Sequence, residues 1–168
     1  MEGNTLLDIG GGLGGIQHTM LVNGVKHATH VDASSAYVKA AKEEAKRRTL
    51  DEHIKILQGD FVDLANDVPQ ADIVTLDRVI CCYDNMQDLV RLSAMKARKV
   101  YGLVFPRDIW PFRVLIPVAN FFIKMTGSPF RIFIHRTEKV RQILNNQGLH
   151  EHFHKNAGFW QIMVFNRN

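Results

Sequence analysis

Four aspartates and one run of glycines are the residues of this sequence whose types and spacing point to chemistry. Asp8, Asp32, Asp60 and Asp77 each fall at the end of a short apolar run, so four successive strands would present carboxylates to one rim. Directly after the first stands Gly10-Gly11-Gly12-Leu13-Gly14-Gly15, which fits both the G-x-G-x-G and the G-x-G-x-x-G spacings. Missing side chains let a ligand approach the backbone at a helix N-terminus, where free N–H groups point outward. Asp32 follows the glycines by about 20 residues, the place where a carboxylate accepts hydrogen bonds from ribose hydroxyls. Charge then separates the candidate ligands. A carboxylate two residues before Gly10 raises the energy of a diphosphate and lowers that of a ligand with a positive centre.

Placing those groups together requires strands that end at one level. Short apolar runs at 5–9, 27–31, 54–57, 71–76 and 100–105 alternate with helical patterns. The helix after the glycines ends at Asn23-Gly24. The next starts at a Ser34 or Ser35 cap and turns Tyr37, Ala40, Ala41 and Ala45 inward. A third runs from Met86 to about Ala97 behind an Asp84/Gln87 capping box. Such alternation predicts an α/β fold, a doubly wound, mostly parallel sheet with helices on both faces. A Thr137-capped helix and two strand-like runs joined by Asn156-Ala157-Gly158 add a C-terminal antiparallel hairpin. With 168 residues, 46% apolar content, no repeat and no linker, residues 1–168 are expected to form one domain. An apolar insertion at about 107–130 breaks the rhythm. It is interrupted by Pro111, Arg113, Pro117, Asn120 and Lys124, which excludes a membrane span, and is expected to be helical beyond Pro117.

Asp8-Ile9-Gly10-Gly11-Gly12-Leu13-Gly14 resembles the first motif, D-x-G-x-G-x-G, of class I S-adenosylmethionine-dependent methyltransferases. Asp32 resembles the acidic residue that ends their second strand. Gly59-Asp60-Phe61 is similar to the adenine-contacting stretch after their third. The resemblance runs from Thr5 to Arg167 and implies a seven-stranded sheet in the order 3-2-1-4-5-7-6. It implies S-adenosylmethionine as cofactor, with Asp32 and Ala33 at the ribose, Asp60 at the adenine amino group and Phe61 beside the ring. Gly10, Gly12 and Gly14 would then underlie the methionine part, with Asp8 and Asp77 near its cationic end. Two other readings stay open: an NAD-binding oxidoreductase module, and a cofactor-binding protein that is inactive or truncated. Members of the class usually carry a helical segment before the first strand. Here Met1 to Asn4 precede Thr5, so the chain is a fragment, the insertion covers the cofactor, or the pocket is open.

The acceptor side is narrowed by what is missing. The Asn/Asp-Pro-Pro-aromatic motif of base N-methylation is replaced by Leu76-Asp77-Arg78-Val79-Ile80, and no aromatic–basic pattern for nucleic acid appears. O- or C-methylation of a small hydrophobic or anionic molecule is the expectation. His135, Tyr83 and Arg107 are the candidate catalytic residues, His135 because its ordinary pKa lies near neutrality. Arg78 and Asp108 are further acceptor-side candidates. Catechol-type members need an Asp-Asn pair after the fifth strand; Arg107-Asp108 stands there, so no metal is expected. His150, His152 and His154 alternate on one strand without a carboxylate or cysteine companion, as an exposed edge would. Cys81 and Cys82 form neither a disulfide framework nor a zinc site and read as small buried residues. With no secretory leader, they fit a reducing, cytoplasmic setting. The insertion is expected to be a lid over the acceptor, and its 109–125 stretch a peripheral membrane contact. After the fifth strand the chain is similar to tetrapyrrole carboxyl O-methyltransferases of the magnesium-protoporphyrin type.

Overall fold

The computed structural model describes residues 2–128 and 131–168. In chain order the elements are β1 (Thr5–Ile9), α1 (Gly15–Val22), β2 (His27–Asp32), α2 (Ser35–Arg47), β3 (Ile54–Gln58), α3 (Phe61–Leu64) and β4 (Ala71–Asp77). They continue with α4 (Met86–Lys96), β5 (Ala97–Pro106), α5 (Trp110–Met125), α6 (Thr137–Asn146), β6 (Leu149–Ala157) and β7 (Trp160–Arg167). The sheet order is β3-β2-β1-β4-β5-β7-β6, as the resemblance implied. Strands β1 to β5 pair in parallel, and β7 runs antiparallel between β5 and β6.

Period-two alternation assigns the strand residues to two faces. Leu7, Ile9, Val74 and Leu76 point to one, where α3, α4 and α6 cover them with Phe61, Leu89, Val90 and Leu144. Each such side chain, removed from water, contributes roughly 1.5–3 kcal/mol. Leu6, Ala28 and Ile73 point the other way, against Ala45 of α2 and Met20 and Leu21 of α1. On this second face the helices stop short. Over β4, β5 and β7 it carries an apolar groove of about 460 Å³ lined by Met20, Ile73, Val100, Val104, Ile162 and Val164.

Several local expectations are corrected. Tyr37 is exposed, and Val38, Ala41 and Ala45 form the inner face of α2; spacing from Ala41 admits position i−3 as readily as i−4. Asn85, not Asp84, caps α4 by accepting from the Asp88 N–H. Thr137 is the first residue of α6, with Arg136 at the cap position, and its hydroxyl accepts instead from Gln161. In β6 an extra residue at His152 breaks the ladder between Glu151 and Phe153, so the three histidines do not simply alternate. Among the described residues no group of three His, Cys, Asp or Glu is placed to hold a metal.

The insertion is helical from Trp110, with Pro111 in its first turn and Pro117 inside it. Proline at the start of a helix lacks only an N–H that has no partner there. Pro117 lies on the exposed side, where the carbonyl it leaves free does not need a protein partner. Phe112 packs edge-on against Phe159 with ring centroids 4.7 Å apart. The Asn120 amide clamps Ile132 at both ends: Nδ2 donates to its carbonyl at 2.7 Å, and Oδ1 accepts its N–H at 2.9 Å. Asn120→Ala removes both bonds, each worth about 1 kcal/mol net. Amide exchange at Ile132 should accelerate about tenfold or more, while exchange in β1 and β4 stays unchanged. An unaltered Ile132 rate would show that the clamp holds nothing.

Candidate active site

A cleft opens over the carboxyl ends of β1, β2 and β3, the usual ligand position in a doubly wound sheet. Its outer part, about 1210 Å³, is walled by Gly10, Asp32, Ala33, Tyr37, Val79 and Tyr83, with Arg78, Cys82, Arg131 and Phe133 at its far side. Its inner part, about 150 Å³, reaches between Gly59, Asp60, Phe61 and Leu89.

The glycine loop forms the floor, and its shape follows from what lies beneath. Gly10 has φ +63°, and a Cβ there would sit 2.5 Å from the Val79 side chain. At Gly11 a Cβ would lie 2.6 Å from Asp8 Oδ2 and 2.7 Å from His30 Nδ1. Nothing lies within 4 Å of the corresponding point on Gly12, which leaves the loop's upper surface open. Gly14 caps α1 in the left-handed conformation. Asp32 ties the loop to β2: Oδ2 accepts the Gly12 N–H at 3.0 Å and Oδ1 the Ser34 N–H at 2.8 Å. Each oxygen keeps a further lone pair.

Asp8 lies deeper than the rim. It pairs in register with His30 of β2 and Thr75 of β4, so three polar side chains form a row on the α1 face. Thr75 donates to Asp8 Oδ1 at 2.7 Å, while Asp8 Oδ2 has no partner among the described residues. Burial pushes the Asp8 carboxyl up to about 7, against the Thr75 bond, which lowers it. The His30 Nδ1–H donates to Gln17 Oε1 at 3.1 Å, and burial lowers both His30 and His18. The sequence reading missed this cluster. Its signal was the two-residue spacing that sets Asp8 opposite Leu7 and Ile9.

The remaining candidates fall in different places. Asp60 caps α3 through the Val62 N–H at 2.8 Å and accepts the Tyr83 hydroxyl at 2.9 and 3.1 Å. Burial and Asp60 push the Tyr83 phenol up to about 12. Phe61 is buried at the inner end. Asp77 pairs with Arg78 at 3.0 Å and borders the apolar groove. Arg78 has φ +59°, a strained conformation that turns Val79 under Gly10. His135 stands outside the cleft lining: Nε2 donates to the Ile80 carbonyl at 2.7 Å, its ring stacks on Phe133, and burial lowers it. Arg107 also stands outside, its guanidinium on the Gly158 carbonyl at 3.3 Å. Asp108 pairs with Arg113 at 2.6 Å. Of the two cysteines only Cys81 is buried. Their Sγ atoms lie 3.7 Å apart, and the contact pulls the cleft-lining Cys82 thiol down while raising Cys81.

Sheet order, glycine floor and strand-end carboxylates define the class I S-adenosylmethionine-dependent methyltransferase architecture. The chain belongs to the methyltransferase-domain family, whose profile matches residues 7–96. It is a methyltransferase, and the cofactor of its class is S-adenosylmethionine. Similar solved structures share the fold. A magnesium protoporphyrin IX methyltransferase from Synechocystis PCC 6803, with bound S-adenosylhomocysteine, aligns at TM-score 0.79 and 18% identity over 99% of this chain and 75% of its own. An O-methyltransferase family protein from Burkholderia thailandensis aligns at 0.79 and 14%, over 98% of this chain and 51% of its own. An O-methyltransferase family 2 protein from Planctomyces limnophilus in complex with apigenin aligns at 0.77 and 16%, over 99% and 50%. A search of curated proteins finds no match.

Because the folded carboxyl of Asp8 titrates near 7 and the unfolded one near 3.9, the fold carries its full stability from this group below about pH 4. It loses that contribution as pH rises through about 7. Asp8→Asn keeps an acceptor for Thr75 and cannot ionise. Urea unfolding should show the parent losing up to roughly 4 kcal/mol relative to the variant between pH 4 and pH 8. Parallel pH profiles would refute the shift.

Proposed function

We propose that this methyltransferase holds S-adenosylmethionine with its ribose on Asp32 and Ala33, its adenine between Asp60 and Phe61, and its methionine part over Gly10, Gly12 and Gly14. The observation that carries the reading is the pair of carboxylates, Asp32 and Asp60, at two ends of one cleft above an open glycine floor. The cofactor supplies an electrophilic methyl group. The chain's own residues orient it and exclude water, which is where much of the acceleration of such a displacement comes from. A cationic centre above the loop would also draw Asp8 and its unpartnered oxygen toward the ionised form.

The acceptor is a small hydrophobic anion, methylated on oxygen. Arg78, paired with Asp77, and Arg131 bring guanidinium groups to a far wall that Asp84 also lines, and Tyr37, Val79 and Phe133 bring apolar and aromatic surface. Tyr83, with its raised pKa, keeps its own proton, and His135 stands outside the cleft lining, so neither is set to take a proton from an alcohol there. An oxygen already ionised at neutral pH, such as a carboxylate, needs no base. The similar fold of an O-methyltransferase family 2 protein in complex with apigenin favours oxygen as the attacking atom. Tyr83 positions Asp60, His135 holds the 131–135 strap on the far wall of the cleft, and Arg107 holds the turn after β6. No helix among the described residues is long and apolar enough to cross a membrane; the cytoplasmic setting proposed for the enzyme rests on its two free cysteines.

Titration calorimetry with S-adenosylhomocysteine tests the reading. The parent should bind, and Asp32→Ala should bind about tenfold more weakly or worse, having lost charge-assisted hydrogen bonds. Equal affinity of the two would remove Asp32 from the site. Saturation by NAD with no heat from S-adenosylhomocysteine would favour a dinucleotide site.

A further inference from the structure

We propose that α5 is a docking element for an anionic membrane surface, lying flat along it with its apolar face in the headgroup–acyl boundary. Seven of the twelve exposed large apolar side chains among the described residues lie on this one helix. At 3.6 residues per turn, Trp110, Val114, Val118, Phe121, Phe122 and Met125 fall on one continuous side, with Leu115 at its margin. They are 52% to 75% exposed. Phe112, Ile116, Asn120 and Ile123 occupy the opposite, partly covered side. Scattered apolar residues on a surface are ordinary, but a contiguous patch of this kind marks a binding face.

Charge selects the occupant. From Ile109 to Thr137 the sequence contains four Lys or Arg and no Asp or Glu. Arg113 and Lys124 lie along the same border of the apolar face, about 16 Å apart on the helix axis. Asp108 already pairs Arg113, so Lys124 is the cation that most needs a counter-charge. A second copy of the chain would bring Lys124 and apolar surface against the same again, with no acidic partner on the helix. Anionic lipid headgroups supply what is missing, and the acyl boundary takes the aromatic rings. Sixteen residues reach about 24 Å, shorter than the hydrocarbon core, so the helix lies on the surface. Through the Asn120–Ile132 clamp, the docked helix is tied to the strap whose Phe133 lines the cleft. Docking itself does not depend on methyl transfer.

The test is co-sedimentation of the full chain with phosphatidylcholine vesicles, with and without about one-third phosphatidylserine. The parent should bind the phosphatidylserine vesicles, release as salt is raised, and bind plain phosphatidylcholine about tenfold more weakly or worse. Phe121→Asp with Phe122→Asp should cost about tenfold or more in vesicle affinity. Because both side chains are exposed, its unfolding should remain cooperative and its S-adenosylhomocysteine affinity unchanged. Failure to bind either vesicle overturns the proposal. So does a concentration-dependent dimer, seen by analytical sedimentation, that the double variant abolishes, since a second copy would then cover the face.

Discussion

A carboxyl group buried beneath the glycine loop sets the terms for the rest of this site. Asp8 stands between His30 and Thr75 on adjacent strands, with one oxygen bonded and one not. The loop can close over it only because Gly11 has no side chain to strike Asp8 and His30. Above, Asp32 draws the Gly12 N–H sideways, so the loop is fixed from below by exclusion and from the side by a charge-assisted bond. Desolvation without a compensating cation makes the ionised form of Asp8 costly, which is why its carboxyl titrates near neutrality. A positively charged ligand on the loop relieves that cost and a diphosphate increases it. In the proposed binding mode Asp8 would favour a sulfonium cofactor without touching it.

The parts legible in the sequence were those fixed by local rules. Short apolar runs alternating with helical patterns, and the residues that stop them, implied the sheet. Asp32 and Asp60 could be placed because Asp32 ends a strand and Asp60 follows one across a single glycine. Depth was not legible. Asp8 reads as a rim residue until the register with His30 and Thr75 shows it one layer down. Tyr37 and Val38 were indistinguishable by spacing, and only the entry of α2 at Ser34 decides that Tyr37 faces the cleft. Pro117 looked like a boundary because its cost depends on whether the lost bond faces water, which sequence does not state.

The far wall of the cleft was the least legible part because it is held by contacts distant in sequence. The strap from Arg131 to His135 belongs to neither a helix nor a strand. It is pinned by Asn120 on Ile132, by the Phe133 N–H on the Cys81 carbonyl at 2.7 Å, and by His135 on the Ile80 carbonyl. Those anchors differ in firmness. Ile80 and Cys81 belong to the core, whereas Asn120 rides on a helix with no buried residue. One side of the strap therefore moves with the sheet and the other with α5.

That division separates two tasks in the chain. The cofactor side rests on strand ends and a loop locked against buried groups, where local opening is as costly as breaking the sheet. The acceptor side hangs from a helix that buries none of its residues, where displacement costs a few hydrogen bonds and one aromatic contact. On the proposed reading, a rigid donor half facing a compliant acceptor half would let the acceptor be fitted without disturbing the geometry over Gly12. Whatever covers the apolar side of α5 stabilises that helix and, through Asn120, sets the position of Phe133. The proposed acceptor wall and the proposed docking face are in this way joined through the Asn120 amide.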